Sequence, residues 1–321
     1  MRAALLKPAT MHKPAVESKP ATWAGHIPRI TPGVYADGLP LHDLQYLCCK
    51  LILRPNHFAS RRSLFDFAKV LKAPARANGV TFSIGTCRDS PVRIREVLFV
   101  DTPDCRLYNN AFILRRRIRY EDGFPVGDPQ IVFKFRHENL QTAAETDVRP
   151  QILGDHRVKF KCQALPLKGQ LGGIRMLYSH NVQFPRSNVN EHDVLSMGTM
   201  TKIFPVLGRI KRNANEPLAL VGGTIVEEVL QDIGTLDFGE KIQARVNVGL
   251  WRTRGEHRPL IGECAFQIAF NDRKELDVDA MKRAEAFFIA LQFAAQHWIA
   301  LDTTKTGAVY RLHGNAPMSH E

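Results

Sequence analysis

The chain has 321 residues, 44% hydrophobic and 24% charged, a composition that forms one large or two ordinary cores and excludes disorder throughout. Its 44 lysines and arginines against 32 acids give a formal charge of +12, so the expected partner is polyanionic: nucleic acid, an anionic membrane or a small polyphosphate. There is no run of roughly 18 apolar residues to span a membrane and no apolar signal core near the start, so a cytoplasmic protein with no membrane partner is expected.

Residues 1–40 are basic and carry repeated prolines, of which Pro8, Pro14 and Pro20 break any long helix. They end in the turn-like TPGVYADGLP and read as a disordered tail, with the folded domain over 41–314 and a flexible tail over 315–321. The fold opens on a strand, YLCCKLILR, followed by a short helix, RRSLFDFAKVLKA, whose Leu64, Phe65, Phe67, Val70 and Leu71 share one broad face. Strand character then dominates: VTFSI, IREVLFV, AFILRRRIRY, QIVFKFR and RVKFKCQAL, and after an irregular stretch over 166–216, LALVGGTIVEEVL, KIQARVNVGLW, LIGECAFQIAF and GAVYRL. The irregular stretch reads as loops with a short helix. One helix is expected over 279–300, where Met281, Ala284, Phe288, Leu291, Ala295 and Trp298 form a core stripe. The cysteines at 48, 49, 87, 105, 162 and 264 lack Cys-x-x-Cys or zinc spacing and read as reduced structural thiols.

Side chains alternate faces along a strand, so Arg115, Arg117 and Arg119 share one side while Leu114, Arg116 and Ile118 take the other. Lys134 and Arg136 likewise oppose Phe133 and Phe135. Arg157, Lys159 and Lys161 oppose Val158 and Phe160, and Gln243, Arg245 and Asn247 oppose Val246 and Val248. A solvated outer face explains any one of these strands. Several strands of one charge sign are better explained by a closed sheet that aims the cations at a shared anion, because like charges facing each other across a ladder repel.

The string EVLFVDTPDCRLYNNAFILRRRIR resembles the strand-turn-strand signature of the CYTH/triphosphate tunnel metalloenzyme superfamily. Val100 stands for the signature's Phe, Asp101-Thr102-Pro103-Asp104 is intact, Leu107 fits, and Leu114-Arg115-Arg116-Arg117 supplies the arginine strand. The resemblance covers roughly residues 45–165. It implies an α+β, mainly β fold: an eight-stranded antiparallel closed barrel with peripheral helices, holding a triphosphate or polyphosphate. The resemblance marks Lys50, Arg115, Arg117, Lys134 and Arg136 as phosphate ligands, and the strand parity adds Arg119, Lys159, Lys161 and Arg245 as candidates. The arginine fork matches phosphate oxygens bidentately and lysine acts as a compact charge.

The superfamily opens on Glu-x-Glu-x-Lys, where this chain has Tyr46 and Cys48 before Lys50. Phenol and thiol replace hard carboxylate ligands poorly. Glu228 and Glu263 are therefore the candidate ligands for Mg2+ or Mn2+, each with an ion-pair role as the alternative. Of Glu227 and Glu228, only one can face inward. Glu145 and Asp147 read as loop acids, Arg149 as a surface charge with a phosphate contact as the alternative, and Lys305 as a possible extra clamp. No residue is assigned a catalytic role. Three functions stay open: a metal-dependent triphosphatase, a silent binder of polyphosphate or a nucleotide, and a nucleic-acid-binding protein. Against the last, the aromatic residues lie mainly in apolar faces, not among the basic residues.

Overall fold

The computed structural model describes residue 23 and residues 26–189, 196–210 and 213–314. Most of the expected N-terminal tail, and all of the tail expected over 315–321, lies outside the described residues. The strands are β1 (Tyr46–Leu53), β2 (Thr81–Ser83), β3 (Arg93–Asp101), β4 (Phe112–Glu121), β5 (Phe124–His137), β6 (Arg157–Pro166), β7 (Ile174–Pro185), β8 (Ala219–Asp237), β9 (Gln243–Thr253) and β10 (Pro259–Ala269). The helices are α1 (Arg61–Ala77), α2 (Arg106–Asn109), α3 (Leu140–Glu145), α4 (Met197–Ile203), α5 (Val278–Ala294) and α6 (Lys305–Tyr310).

The strands form one sheet in the order β2-β8-β3-β4-β5-β7-β6-β1-β10-β9, and a further β8–β9 pairing closes it into a barrel. The ring holds every strand but β2, one more than the resemblance implied. It is also mixed, not purely antiparallel, because β1 runs parallel to β6, with Tyr46 to Cys49 beside Lys161 to Ala164. Alternation fixes which face a residue takes and is silent about the direction of its neighbour.

Outside the barrel, α1 and α5 pack on each other and, with Leu47, Cys49, Leu51, Phe266 and Ile268, belong to the main core. Ser60 starts α1 with a capping box to Ser63 and Asp277 caps α5 through the Ala280 N–H, which satisfies donors that the first helical turn leaves open. The N-terminal segment belongs to the same core. Trp23 is 2% exposed and its indole donates to the Met281 carbonyl at 2.9 Å, while Ile27 and Tyr35 are buried. Packed structure thus extends to the N-terminal side of the boundary expected near Leu41, where a tight turn pairs Val34 with Pro40.

Three further expectations change. The stretch 166–216 contains a full strand, β7, whose burial on both faces over Leu177–His180 interrupts the alternation that would have marked it. GAVYRL is not a strand but part of α6, started by Thr304 accepting from the Gly307 N–H; six residues are too few for their period to tell helix from strand. The late helix ends at Ala294, six residues early, and Ile299 bridges back to Leu53.

Candidate functional site

The barrel's inner face is divided along its axis. Near α6 the inward residues are apolar: Ile52, Val97, Phe99, Ile113, Val226 and Ile261 join Trp251, Val309 and Tyr310 in a second core that fills this end. Two residues further along the same strands the inward positions become charged: Lys50, Arg95, Arg115, Glu228 and Glu263. Alternation and closure together therefore give a cavity with an apolar floor.

Asp101, the first acid of the signature, builds that floor. Its carboxylate accepts from the N–H groups of Thr102 (2.7 Å), Leu107 (2.8 Å) and Tyr108 (3.0 Å) and from the Tyr310 hydroxyl (3.0 Å). Asp104 accepts from the Thr102 hydroxyl at 2.6 Å and pairs with Arg106 at 3.0 Å. These acids tie α2 and α6 to β3 and set the start of β4; they do not line the cavity. Burial pushes the Asp101 carboxyl up to about 6 against the pull of its hydrogen bonds.

The cavity has a volume of about 250 Å³. Strand β1 contributes Lys50, β3 Arg95, β4 Arg115 and Arg117, and β5 Lys134 and Arg136; Glu228, Glu263 and Lys305 stand on the floor. The barrel is tunnel-like, as the resemblance implied. Among the described residues, neither Arg115 nor Arg117 has a carboxylate at ion-pair distance. Arg117 reaches only the Gln183 amide oxygen at 3.3 Å, and the Nε atoms of both are buried without a partner. Burial, then Arg117, pushes the Arg115 guanidinium down from its usual range, with Glu228 pulling the other way. Burial, then Arg95, does the same to Arg117. A guanidinium keeps its proton at neutral pH, so the cost is borne as uncompensated charge.

The two acids are fully engaged. Lys305 Nζ lies 2.8 Å from Glu263 Oε1 and 3.1 Å from Glu228 Oε1. Glu228 Oε1 also accepts from the Trp251 indole at 2.8 Å, and its Oε2 is 3.0 Å from Arg95 Nε. Glu263 Oε2 is 3.8 Å from Lys50 Nζ. Burial works to raise both carboxyls, but the cations overcome it and hold them below the usual range: Lys305 and Arg95 for Glu228, Lys305 and Lys50 for Glu263. Burial opposes the Lys305 charge, yet the two acids hold its ammonium above its ordinary range. All three groups are ionised.

The residues present do not fit the divalent ion the resemblance implies. The inward positions of β1 ahead of Lys50 are Tyr46, whose ring lies under Lys161 at 4.7 Å, and the buried Cys48. The remaining carboxylates already hold an ammonium between them. Among the described residues, no group of three or more His, Cys, Asp or Glu side chains could hold a metal ion.

The other expected residues converge less fully. Arg119 lies beyond the last β5–β7 pairing at Gln130, 61% exposed and paired with Glu121 at 3.1 Å. Arg245 is 69% exposed and faces Asp232 at 3.4 Å. Lys161 donates to Gln267 at 2.7 Å; burial pushes its ammonium down to about 8, with Lys50, Lys159 and Arg115 adding to the effect and Cys48 opposing it. Lys159 is lowered by burial, then by Arg157 and Arg117. Neither lysine lines the cavity; Gln163, two residues beyond Lys161 on β6, does. Glu227 faces away and pairs with Arg252. Glu145 ends α3, and Arg149 pairs with Asp147 and Asp37 at 2.6 and 3.0 Å in the loop after it. The sequence reading missed Arg95, which shares the parity of Val97 and Phe99 and could have been found from it.

No family model and no curated protein matches the chain. Among solved structures it is similar to a putative adenylyl cyclase from Hippeastrum described as having a dominant triphosphatase activity: 12% identity, TM-score 0.39, covering 84% of this chain and 95% of that one. A putative adenylate cyclase of Bacillus halodurans is similar at 8% identity and TM-score 0.34, over 82% of this chain and 95% of the other. A Pyrococcus horikoshii protein is similar at 12% identity and TM-score 0.29, over 76% and 89%.

Proposed function

We propose that the chain is a divergent CYTH-type protein that binds the triphosphate portion of a small polyphosphate compound inside the barrel. The observation that supports this reading is the Arg115–Arg117 pair, two half-buried guanidiniums with no carboxylate at ion-pair distance that face a cavity already rich in lysine and arginine. Burying charge without a close counterion is costly, and a phosphate chain offsets that cost while matching the guanidinium fork. Charge agrees with this. The basic side chains lining the cavity exceed the acids by five, and a linear triphosphate carries roughly four to five negative charges if each terminal phosphate carries about 1.5 to 2.

Binding is the function the geometry supports. Hydrolysis by a bound divalent ion would need carboxylates that are here committed to Lys305, Lys50 and Arg95. The test is calorimetric titration with tripolyphosphate and with orthophosphate. Tripolyphosphate is expected to bind, orthophosphate far more weakly, and Arg115→Ala to weaken tripolyphosphate by roughly 10- to 100-fold, the equivalent of a charge-assisted hydrogen bond of about 1.5–3 kcal/mol. Equal affinity of the variant and the parent protein overturns the assignment.

A further inference from the structure

The cluster on the cavity floor carries a second conclusion, which rests on the reading that the cavity holds a phosphate chain. Each oxygen of Glu228 and Glu263 faces a donor or cation of the protein: Trp251 and Lys305, Arg95, Lys305, and Lys50. Lys305 Nζ stands between the two carboxylates, in the place where a bridging ion would sit. Its position is fixed by α6. Thr304 caps that helix, Tyr310 is held by Asp101 and stacks on Tyr108 with centroids 4.1 Å apart, and the ammonium lies 4.6 Å from the Trp251 ring centroid. A divalent ion entering this cluster would meet three cations, with every carboxylate oxygen already within 4 Å of one of them, and weak screening inside a protein makes that repulsion strong. Mg2+ and Mn2+ also need hard oxygen ligands that Tyr46 and Cys48 do not supply.

We infer that Lys305 takes the bridging role of a divalent cation in this chain, so that the cavity selects the metal-free polyphosphate anion over its magnesium complex. The phosphate charge is met by protein cations alone. Chelated ligand brings its own divalent charge to a cavity whose lining already carries excess positive charge, and it binds less well.

The test uses the full chain. Mn2+ is titrated into the protein alone and followed by electron paramagnetic resonance; tripolyphosphate is titrated by calorimetry in EDTA and in excess Mg2+. The expected results are no saturable Mn2+ site at micromolar concentrations, binding of tripolyphosphate in EDTA, and at least tenfold weaker apparent binding when Mg2+ complexes the ligand. A tight Mn2+ site in the unmodified protein, or binding of tripolyphosphate only with Mg2+ or Mn2+, overturns the inference and leaves the phosphate-binding reading intact. Absence of binding in every buffer overturns both. Lys305→Gln should bare the two carboxylates, weaken binding in EDTA at least tenfold and create a Mn2+ site, whereas Lys305→Arg should keep metal-free binding within a few fold. A folded Lys305→Gln protein that binds in EDTA as the parent does removes the bridging role; if that variant does not fold, the measurements on the unmodified protein decide.

Discussion

Arg115 and Arg117 are cations placed where the free protein gains nothing from them. Their shared face was legible from alternation, as was that of Lys134 and Arg136, whereas Lys50 was marked only by the family resemblance. Arg119 and Arg245 obey the same parity and still miss the cavity, because each lies one step further along its strand, away from the apolar floor, where the side chains are 61% and 69% exposed and paired with Glu121 and Asp232. Alternation fixes the face a side chain takes and is silent about its depth along the barrel axis. The cost of the unpaired guanidiniums makes a prediction opposite in sign to most cavity substitutions: Arg115→Met should raise the melting temperature of the ligand-free protein while weakening tripolyphosphate binding, and a fall in both would show that Arg115 is structural. Lys161 provides a pH signature. Its folded-state value of about 8 lies below the ordinary lysine value of about 10.4, so between these pH values the unfolded chain holds a proton that the native protein has shed. Stability of the free protein should therefore rise as pH increases through that window. Denaturation midpoints for the parent and for Lys161→Met check it, the rise being absent from the variant. Affinity for phosphate should fall over the same range as the Lys161 charge disappears.

Elements were legible to the extent that their two faces differ. Strands β4, β5 and β6 carry cations on one side and Phe, Ile or Val on the other, and their positions follow from the sequence. Strand β7 escaped notice because Leu177, Tyr178, Ser179 and His180 are buried on both faces, which interrupts the alternation that Asn181 and Gln183 keep against Val182 and Phe184. The short α6 escaped because its two important contacts, Lys305 with the acids and Tyr310 with Asp101, are long-range. The Asp101 carboxylate joins β3, α2 and α6 through four hydrogen bonds, so Asp101→Ala orphans three buried N–H groups and releases the helix that carries Lys305. A loss of roughly 3–5 kcal/mol is expected in chemical denaturation, together with weaker tripolyphosphate binding. A change below about 0.5 kcal/mol would mean that α6 is held by its apolar contacts alone. Close packing also fixes β2 against β8: a Cβ at Gly234 would stand 2.6 Å from the Ser83 carbonyl oxygen, so Gly234→Val should separate the two strands and lower the melting temperature.

At the scale of the whole molecule, closure gives the charge pattern its meaning. The same strands laid out as an open sheet would present basic residues to water, and the formal charge of +12 would describe an unspecific polycation. Closed by the β8–β9 pairing, floored by the apolar cluster around Trp251 and Tyr310, the barrel concentrates part of that charge on one cavity. Neither the parallel β1–β6 seam nor the packing of the N-terminal segment was legible, since both depend on which distant segments meet. No helix among the described residues is long and apolar enough to cross a membrane. The central claim is that an anion of several linked phosphates relieves the repulsion inside the barrel. Thermal melts in tripolyphosphate and in sodium chloride at equal ionic strength, with EDTA present, test it most directly. Specific binding predicts a rise of several degrees that saturates with tripolyphosphate and is absent in chloride, because a ligand that binds only the native state stabilises it by mass action. Equal shifts in the two salts would contradict the account, since simple screening would then be all the basic interior requires.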